Sequence, residues 1–239
     1  METARTMLVI GAHSADFVWR AAGAIAVCTS RGGTATVVAL SYGERGESGE
    51  LWKEPGQTIE NVKRVRHDEA ARAAAAVGAT FRALDLGDYP LDIAAAALAQ
   101  LTELIREVAP DVIVTHTDRD PFNPDHPVAY AATQRARLLA SGAGVASSFP
   151  TIRPPDLFLF EPHQPELCGF VPNTFVDITD VFPMKQQAMA AMAAQHYLVT
   201  YYTERAEHRA NHARRVSGQK HIRYAEAFQR ILPQVVPML

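Results

Sequence analysis

Met7-Leu8-Val9-Ile10-Gly11-Ala12-His13-Ser14-Ala15-Asp16-Phe17 begins as an apolar run and ends on an imidazole and a carboxylate three residues apart. Thr6–Ala12 reads as a buried strand, and Phe17–Arg31 as a helix with Val18, Ala21, Ala22, Ile25 and Ala26 at helical spacing. Gly32-Gly33 closes that helix, and Thr34–Leu40 is a β-branched strand. Strand, helix and strand in this order predict a right-handed crossover and a parallel sheet. Sites in open sheets of this kind form beyond the C-terminal ends of the strands, which is where His13 and Asp16 fall.

The same alternation continues outward. Ser41–Gln57 is a loop rich in glycine and charge; Thr58 can cap a helix over Ile59–Val77, closed by Gly78. Thr80–Leu86 reads as a short strand. Gly87-Asp88-Tyr89-Pro90 is a loop, and Leu91–Val108 an alanine-rich helix that Pro110 breaks. Asp111–His116 is a strand, Pro127–Leu139 a helix and Ser141–Pro155 a Gly/Ser/Pro connection. Asp156–Glu161 and Thr174–Ile178 read as late strands. Asp180 is expected to cap a long helix through about Tyr202, with Arg223–Leu232 a last short helix. This order predicts an α/β fold, one doubly wound, mostly parallel sheet with a small C-terminal elaboration, in a single domain over residues 1–239.

A chain of 239 residues that is 48% hydrophobic can bury a sizeable core. Its net charge of −3 and isoelectric point near 6.3 provide no basic field for nucleic acid or an anionic membrane. Two cysteines, Cys28 and Cys168, make no disulfide framework. No apolar run approaches the roughly 20 residues of a membrane span, and the N-terminus has no signal-peptide charge pattern. The expectation is a soluble, cytoplasmic protein.

His13 and Asp16 provide two metal ligands from one turn, and His126 in Asn123-Pro124-Asp125-His126 adds a third. Two histidines and a carboxylate, with a further position open, form a ligand set of catalytic zinc. Asp125 could orient a histidine ring from behind, and His116, ending its strand, could do likewise. Spacing alone leaves a second reading open, in which the aspartates cap turns and the histidines share no role. His163 follows a predicted strand and suits proton transfer, or lies on its loop by chance. The loop Gly43-Glu44-Arg45-Gly46-Glu47-Ser48-Gly49-Glu50 offers carboxylates as a general base. Arg20, Arg45, Arg66 and Arg119 offer planar forks for substrate carboxylates.

Together, a strand ending in A-H-x-x-D, the G-E-x-G-E loop, Arg66-x-x-Glu69 and Pro124-Asp125-His126 resemble the zinc-dependent LmbE/PIG-L deacetylase-like superfamily, from Leu8 to Tyr224-Ala225-Glu226-Ala227-Phe228. The resemblance implies a Rossmann-like fold and one zinc ion per chain held by His13, Asp16 and His126. It also implies that Glu47 and His163 stand at catalytic positions. One departure matters. Members of the superfamily usually read A-H-P-D-D, the first aspartate acting as general base for the attacking water; here that position is Ala15, and Ser14 replaces the proline. Loss of a placed base typically costs about 10²–10⁴-fold in rate.

The runs Ala12–Arg20, Ser41–Ser48 and Gly87–Leu91 are similar to the branch of the superfamily that contains the 4-oxalomesaconate hydratase of bacterial gallate degradation. The similarity implies a small-molecule tricarboxylic keto acid as substrate and hydration of its C=C bond to 4-carboxy-4-hydroxy-2-oxoadipate. Our expectation for that reaction is that Glu47 and His163 divide the proton transfers, with His163 the acid toward carbon. Two rival readings are an N-acyl amino-sugar deacetylase with a replacement base and a catalytically silent metal-binding relative. Relatives often form homo-oligomers, so a homo-oligomer is expected. Met184, Met189 and Met192 could be core or interface, with core favoured.

Overall fold

The computed structural model describes residues 4–235. Its β-strands are β1 (Thr6–Gly11), β2 (Thr34–Ala39), β3 (Thr80–Ala83), β4 (Val112–Thr115), β5 (Asp156–Phe160), β6 (Thr174–Asp177) and β7 (Ala225–Arg230). They form one seven-stranded sheet in the order β3-β2-β1-β4-β5-β7-β6. The first five are parallel, and β7 runs antiparallel to both β5 and β6. Helices α1 (Asp16–Ser30), α2 (Ile59–Ala76), α3 (Ala95–Val108), α4 (Asp125–Leu139), α5 (Phe182–Ala190) and α6 (Leu198–Ser217) pack around it.

Successive side chains of a strand point to opposite faces, and β1 divides accordingly. Val9 joins Phe17, Val18, Ile25, Val37 and Val114 in a cluster with α1, α2 and α5. Leu8 and Ile10 join Val38, Leu101, Ile105 and Ile113 in a second cluster with α3 and α4. Met189 and Met192 are wholly buried in the first cluster and Met184 packs against it, so the core reading of these methionines holds. Strand order reverses between β1 and β4, and the crevice beyond a reversal of this kind is where ligands bind in doubly wound sheets. Among the described residues no helix is long and apolar enough to cross a membrane.

Beyond β3, which ends at Ala83 rather than Leu86, four segments depart from the sequence reading. The helix placed at Leu91 begins at Ala95, because the Asp125 carboxylate accepts the Tyr89 and Leu91 N–H groups and holds the chain out of the helix there. α4 begins at Asp125 rather than Pro127, which sets Asp125 and His126 in its first turn. The long helix after Asp180 divides into α5, a short 3₁₀ turn at Ala193–Gln195, and α6. Here the buried Glu69 carboxylate accepts the Ala194 N–H, and the Gln195 side chain accepts from Trp19 and Arg66. No side chain caps α5, so Asp180 is not its cap.

The fourth departure is the last segment. Arg223–Leu232 contains a strand, β7, and no helix. Ala225–Phe228 is buried along its length between β5 and β6, so the alternation that marks a half-exposed strand is missing. Glu226 sits in that buried run because Lys185 neutralises it at 2.6 Å and the Gly23 and Ala24 N–H groups donate to it.

Candidate metal centre

β1 delivers the chain to Gly11, and α1 starts five residues later, so His13 and Asp16 face one another across a single turn. Asp16 Oδ2 accepts the His13 N–H at 2.7 Å and lies 2.9 Å from His116 Nε2; Oδ1 lies 2.5 Å from Arg20. Burial alone would raise this carboxyl, but the His116 ring and the Arg20 guanidinium hold it well below the usual carboxylate range.

His126 meets this turn from the start of α4. Its Nδ1 lies 2.8 Å from Asp120 Oδ2, and its ring stacks on His116 with centroids 3.9 Å apart. His13 turns Nε2 toward Asp125 Oδ2 at 3.1 Å, leaving Nδ1 facing inward. Glu47 comes from the loop after β2, with Oε1 3.2 Å from His13 Nδ1 and 3.8 Å from His126 Nε2. The Asn123 amide donates to the same oxygen at 3.1 Å.

Two buried nitrogens, His13 Nδ1 and His126 Nε2, have no hydrogen-bond partner. Buried polar atoms are nearly always satisfied, so two unsatisfied imidazole nitrogens converging on two carboxylates need an explanation. One ligand atom from each of His13, Asp16, Glu47 and His126 lies within 4.8 Å of the others. Each histidine offers its inner nitrogen, while its outer one is oriented by an aspartate, the arrangement that prepares imidazole for a cation. A second acidic group, Asp88 with Asp125, faces the other side of His13. Its oxygens are occupied by backbone N–H groups of Arg45, Gly46, Tyr89 and Leu91.

Without a cation, the His13 imidazole sits above its usual range: burial opposes its charge but Glu47, Asp125 and Asp16 outweigh it. Glu47 is pulled down to about 2, burial being overcome by His13 and His126. A carboxylate held this low is ionised at neutral pH. Its loop is pinned rather than mobile. Asp88 accepts the Arg45 and Gly46 N–H groups, and Ser48 Oγ donates to the Gly43 carbonyl. A side chain at Gly46 would meet the Tyr89 ring at 2.1 Å, and Gly43 has a positive φ of 72° against His13. Gly46→Ala is therefore expected to displace Glu47 and lower turnover while leaving secondary structure intact, as circular dichroism beside a kinetic assay would show.

The family model for the PIG-L GlcNAc-PI de-N-acetylases matches residues 8–137. The chain belongs to the PIG-L family. It is 42% identical over 238 residues, 98% of its own length and 92% of the other's, to the 4-oxalmesaconate hydratase of Pseudomonas putida. The crystal structure of the 4-carboxy-2-hydroxymuconate hydratase GalB from Pseudomonas putida superposes with a TM-score of 0.95 at 42% identity. The match covers 98% of this chain and 99% of that one. N,N'-diacetylchitobiose deacetylase from Pyrococcus horikoshii shares the fold, with a TM-score of 0.77 at 18% identity over 95% and 84% of the two chains.

Ala15, which stands where the sequence resemblance leads one to expect a carboxylate, is wholly buried at the start of α1. His163 lies on the loop after β5, within electrostatic reach of Arg20, Glu47 and His126. Burial, Arg20 and Arg205 bring its pKa down to about 4. The unfolded chain binds this proton below about 6.5 and the folded chain only near 4, so stability is lost as pH falls through that window. His163→Gln is expected to flatten this loss, measured as the difference in Tm between pH 7 and pH 4.5.

The four arginines separate. Arg20 lines the centre through its bond to Asp16. Arg45 is half exposed and donates to the Asp88 carbonyl at 2.8 Å, and Arg119 is exposed on the loop before Asp120. Arg66 is different: it has no exposed surface and is bonded to Glu69 at 2.7 Å and Gln195 at 2.9 Å. It is a structural cation, not a substrate-binding one. Breaking a buried pair typically costs about 3–5 kcal/mol, so Arg66→Ala is expected to lower stability by that order in urea titrations with little change in KM. The sequence alone does not single out Asp120, Asn123 or Asp88 for a part in the centre. Asp120 lies six residues before His126, and an acidic residue that close to a candidate ligand was the available signal.

Proposed function

We propose that the protein is a zinc-dependent hydratase that adds water to the C=C bond of 4-oxalomesaconate, giving 4-carboxy-4-hydroxy-2-oxoadipate. The observation that carries the reading is the pair of orphaned imidazole nitrogens converging on Asp16 and Glu47 where position 15 is an alanine. These residues could hold a cation, and the carboxylate that serves amide hydrolysis in the deacetylases the chain resembles is absent. Identity of 42% across 98% of the chain to a hydratase supports the same reaction.

His13, Asp16 and His126 would hold the metal, and two neutral imidazoles with one carboxylate suit zinc. When bound, zinc supplies Lewis-acid stabilisation of negative charge on the substrate's oxo or carboxylate oxygens. Glu47 is the general base: ionised, oriented by Asn123 and pinned by its loop, it takes a proton from the adding water. Arg20, Arg45 and Arg119 are the cations available for the three substrate carboxylates, with Arg20 nearest the centre. His163 is the second group acting on the substrate. Hydration removes the conjugated chromophore, so loss of ultraviolet absorbance on mixing enzyme with 4-oxalomesaconate tests the reading. Unchanged absorbance with zinc-replete protein overturns it.

A further inference from the structure

α6 clamps the loop that carries His163. Tyr201 and Arg205 both donate to the His163 carbonyl, at 2.5 and 2.9 Å, and Arg205 also donates to Glu161 and to the Pro162 carbonyl. The side chain is held separately. Tyr202 Oη lies 2.8 Å from His163 Nδ1, the two rings have centroids 5.4 Å apart, and Tyr202 stacks on Trp19 at 5.5 Å. Tyr202 is 3% exposed, and among the described residues its hydroxyl has no hydrogen-bond partner other than His163. Among the described residues the His163 ring has no hydrogen-bond partner besides Tyr202, which leaves Nε2 unpaired.

We propose that Tyr202 is a positioning residue: its O–H donates to Nδ1 and holds His163 as the neutral tautomer whose Nε2–H is left unpaired for a ligand. A neutral imidazole has one N–H, and a buried phenol has one hydrogen to place. Donation from Tyr202 satisfies both groups, whereas donation from Nδ1 leaves the phenol hydrogen buried without an acceptor. Burial keeps the phenol protonated, above the ordinary tyrosine range. The charged and titratable groups facing His163 are Arg20 from α1, Glu47 from its loop, His126 from α4 and Arg205 from α6. Tyr201 and Tyr202 lie against its ring and Glu161 lies two residues before it.

The consequence, which rests on the proposed hydration, is a change in the role of His163. Surrendering Nε2–H would leave an imidazolate, so this histidine does not protonate carbon. It donates a hydrogen bond to the substrate oxygen on which charge develops, as a neutral electrophile. The proton balance then closes on Glu47. Hydroxyl adds to one carbon as the π bond opens to an enolate, the water proton passes to Glu47, and Glu47 returns it to the other carbon.

The test is two-bond ¹H–¹⁵N correlation of histidine-labelled full-length protein, with His163 assigned by its loss in His163→Gln, alongside turnover of Tyr202→Phe. The expected spectrum shows Nε2 protonated and Nδ1 bare between pH 6 and 8. In Tyr202→Phe, which keeps the ring stacking, the Nδ1 resonance should shift and its titration midpoint rise. Removal of a supporting partner of this kind lowers activity roughly 10- to 100-fold, here in kcat more than in KM. A protonated Nδ1 in the native protein overturns the proposal, as does an unchanged His163 signal in Tyr202→Phe. The spectrum decides even if Tyr202→Phe does not fold. Failure of hydration itself would appear as an inactive native enzyme, with the spectrum still deciding the tautomer.

Discussion

Glu47→Gln is expected to lower turnover of 4-oxalomesaconate by about 10²–10⁴-fold, the range for loss of a placed general base, with bound zinc remaining near one per chain. Glutamine keeps the shape and the side-chain oxygen that accepts from Asn123 but cannot take a proton at neutral pH. Glu47 also offers an oxygen within 4.8 Å of the ligand atoms of His13, Asp16 and His126, so metal content must be measured on the same sample. Loss of rate with zinc retained identifies a base. Loss of both would identify Glu47 as a ligand that the His13, Asp16 and His126 set cannot do without. Near-normal turnover would remove Glu47 from the chemistry.

Asp16→Ala is expected to be the most damaging single change in the chain. It removes a ligand, and it also strips the partner from Arg20 and the oxygens that meet His116 and the His13 N–H. A buried guanidinium left unpaired typically costs about 3–5 kcal/mol, so the variant should unfold at lower urea concentration and contain little zinc. Asp16→Asn separates the two effects. It keeps the shape and an acceptor for Arg20, so more of the stability returns than of the bound metal. Equal recovery of both would mean that Asp16 serves the fold alone.

Much of this was legible in the chain. Met7–Phe17 placed the first strand, the turn and the first helix, because a parallel strand buried on both faces is apolar throughout and ends where its helix begins. The His13, Asp16 and His126 set was legible because each ligand follows a strand and strands deliver their ends to one edge. Legibility failed where tertiary contacts override local pattern. Ala225–Phe228 has no alternation because both of its faces are covered. The helix after Asp180 is interrupted by a carboxylate from α2, and no local reading of residues 180–202 contains Glu69. Arg66 resembles a substrate cation in the sequence although its partner Glu69 is only three positions away, because its complete burial depends on distant elements, Gln195 among them. Tyr202 carried no signal at all, since its role depends on where the loop after β5 is clamped.

The proposed metal centre, built without a carboxylate at position 15, is expected to run hydration and to need its metal to do so. Absorbance of the conjugated 4-oxalomesaconate chromophore should be followed with zinc-replete protein, after chelation, and after zinc is restored. Rapid loss of absorbance is expected, with its arrest in the chelated protein, its return with zinc, and no acetate released from N-acetylglucosamine conjugates. Absorbance that stays constant with the metal bound, or that falls equally fast in the chelated protein, would contradict that expectation.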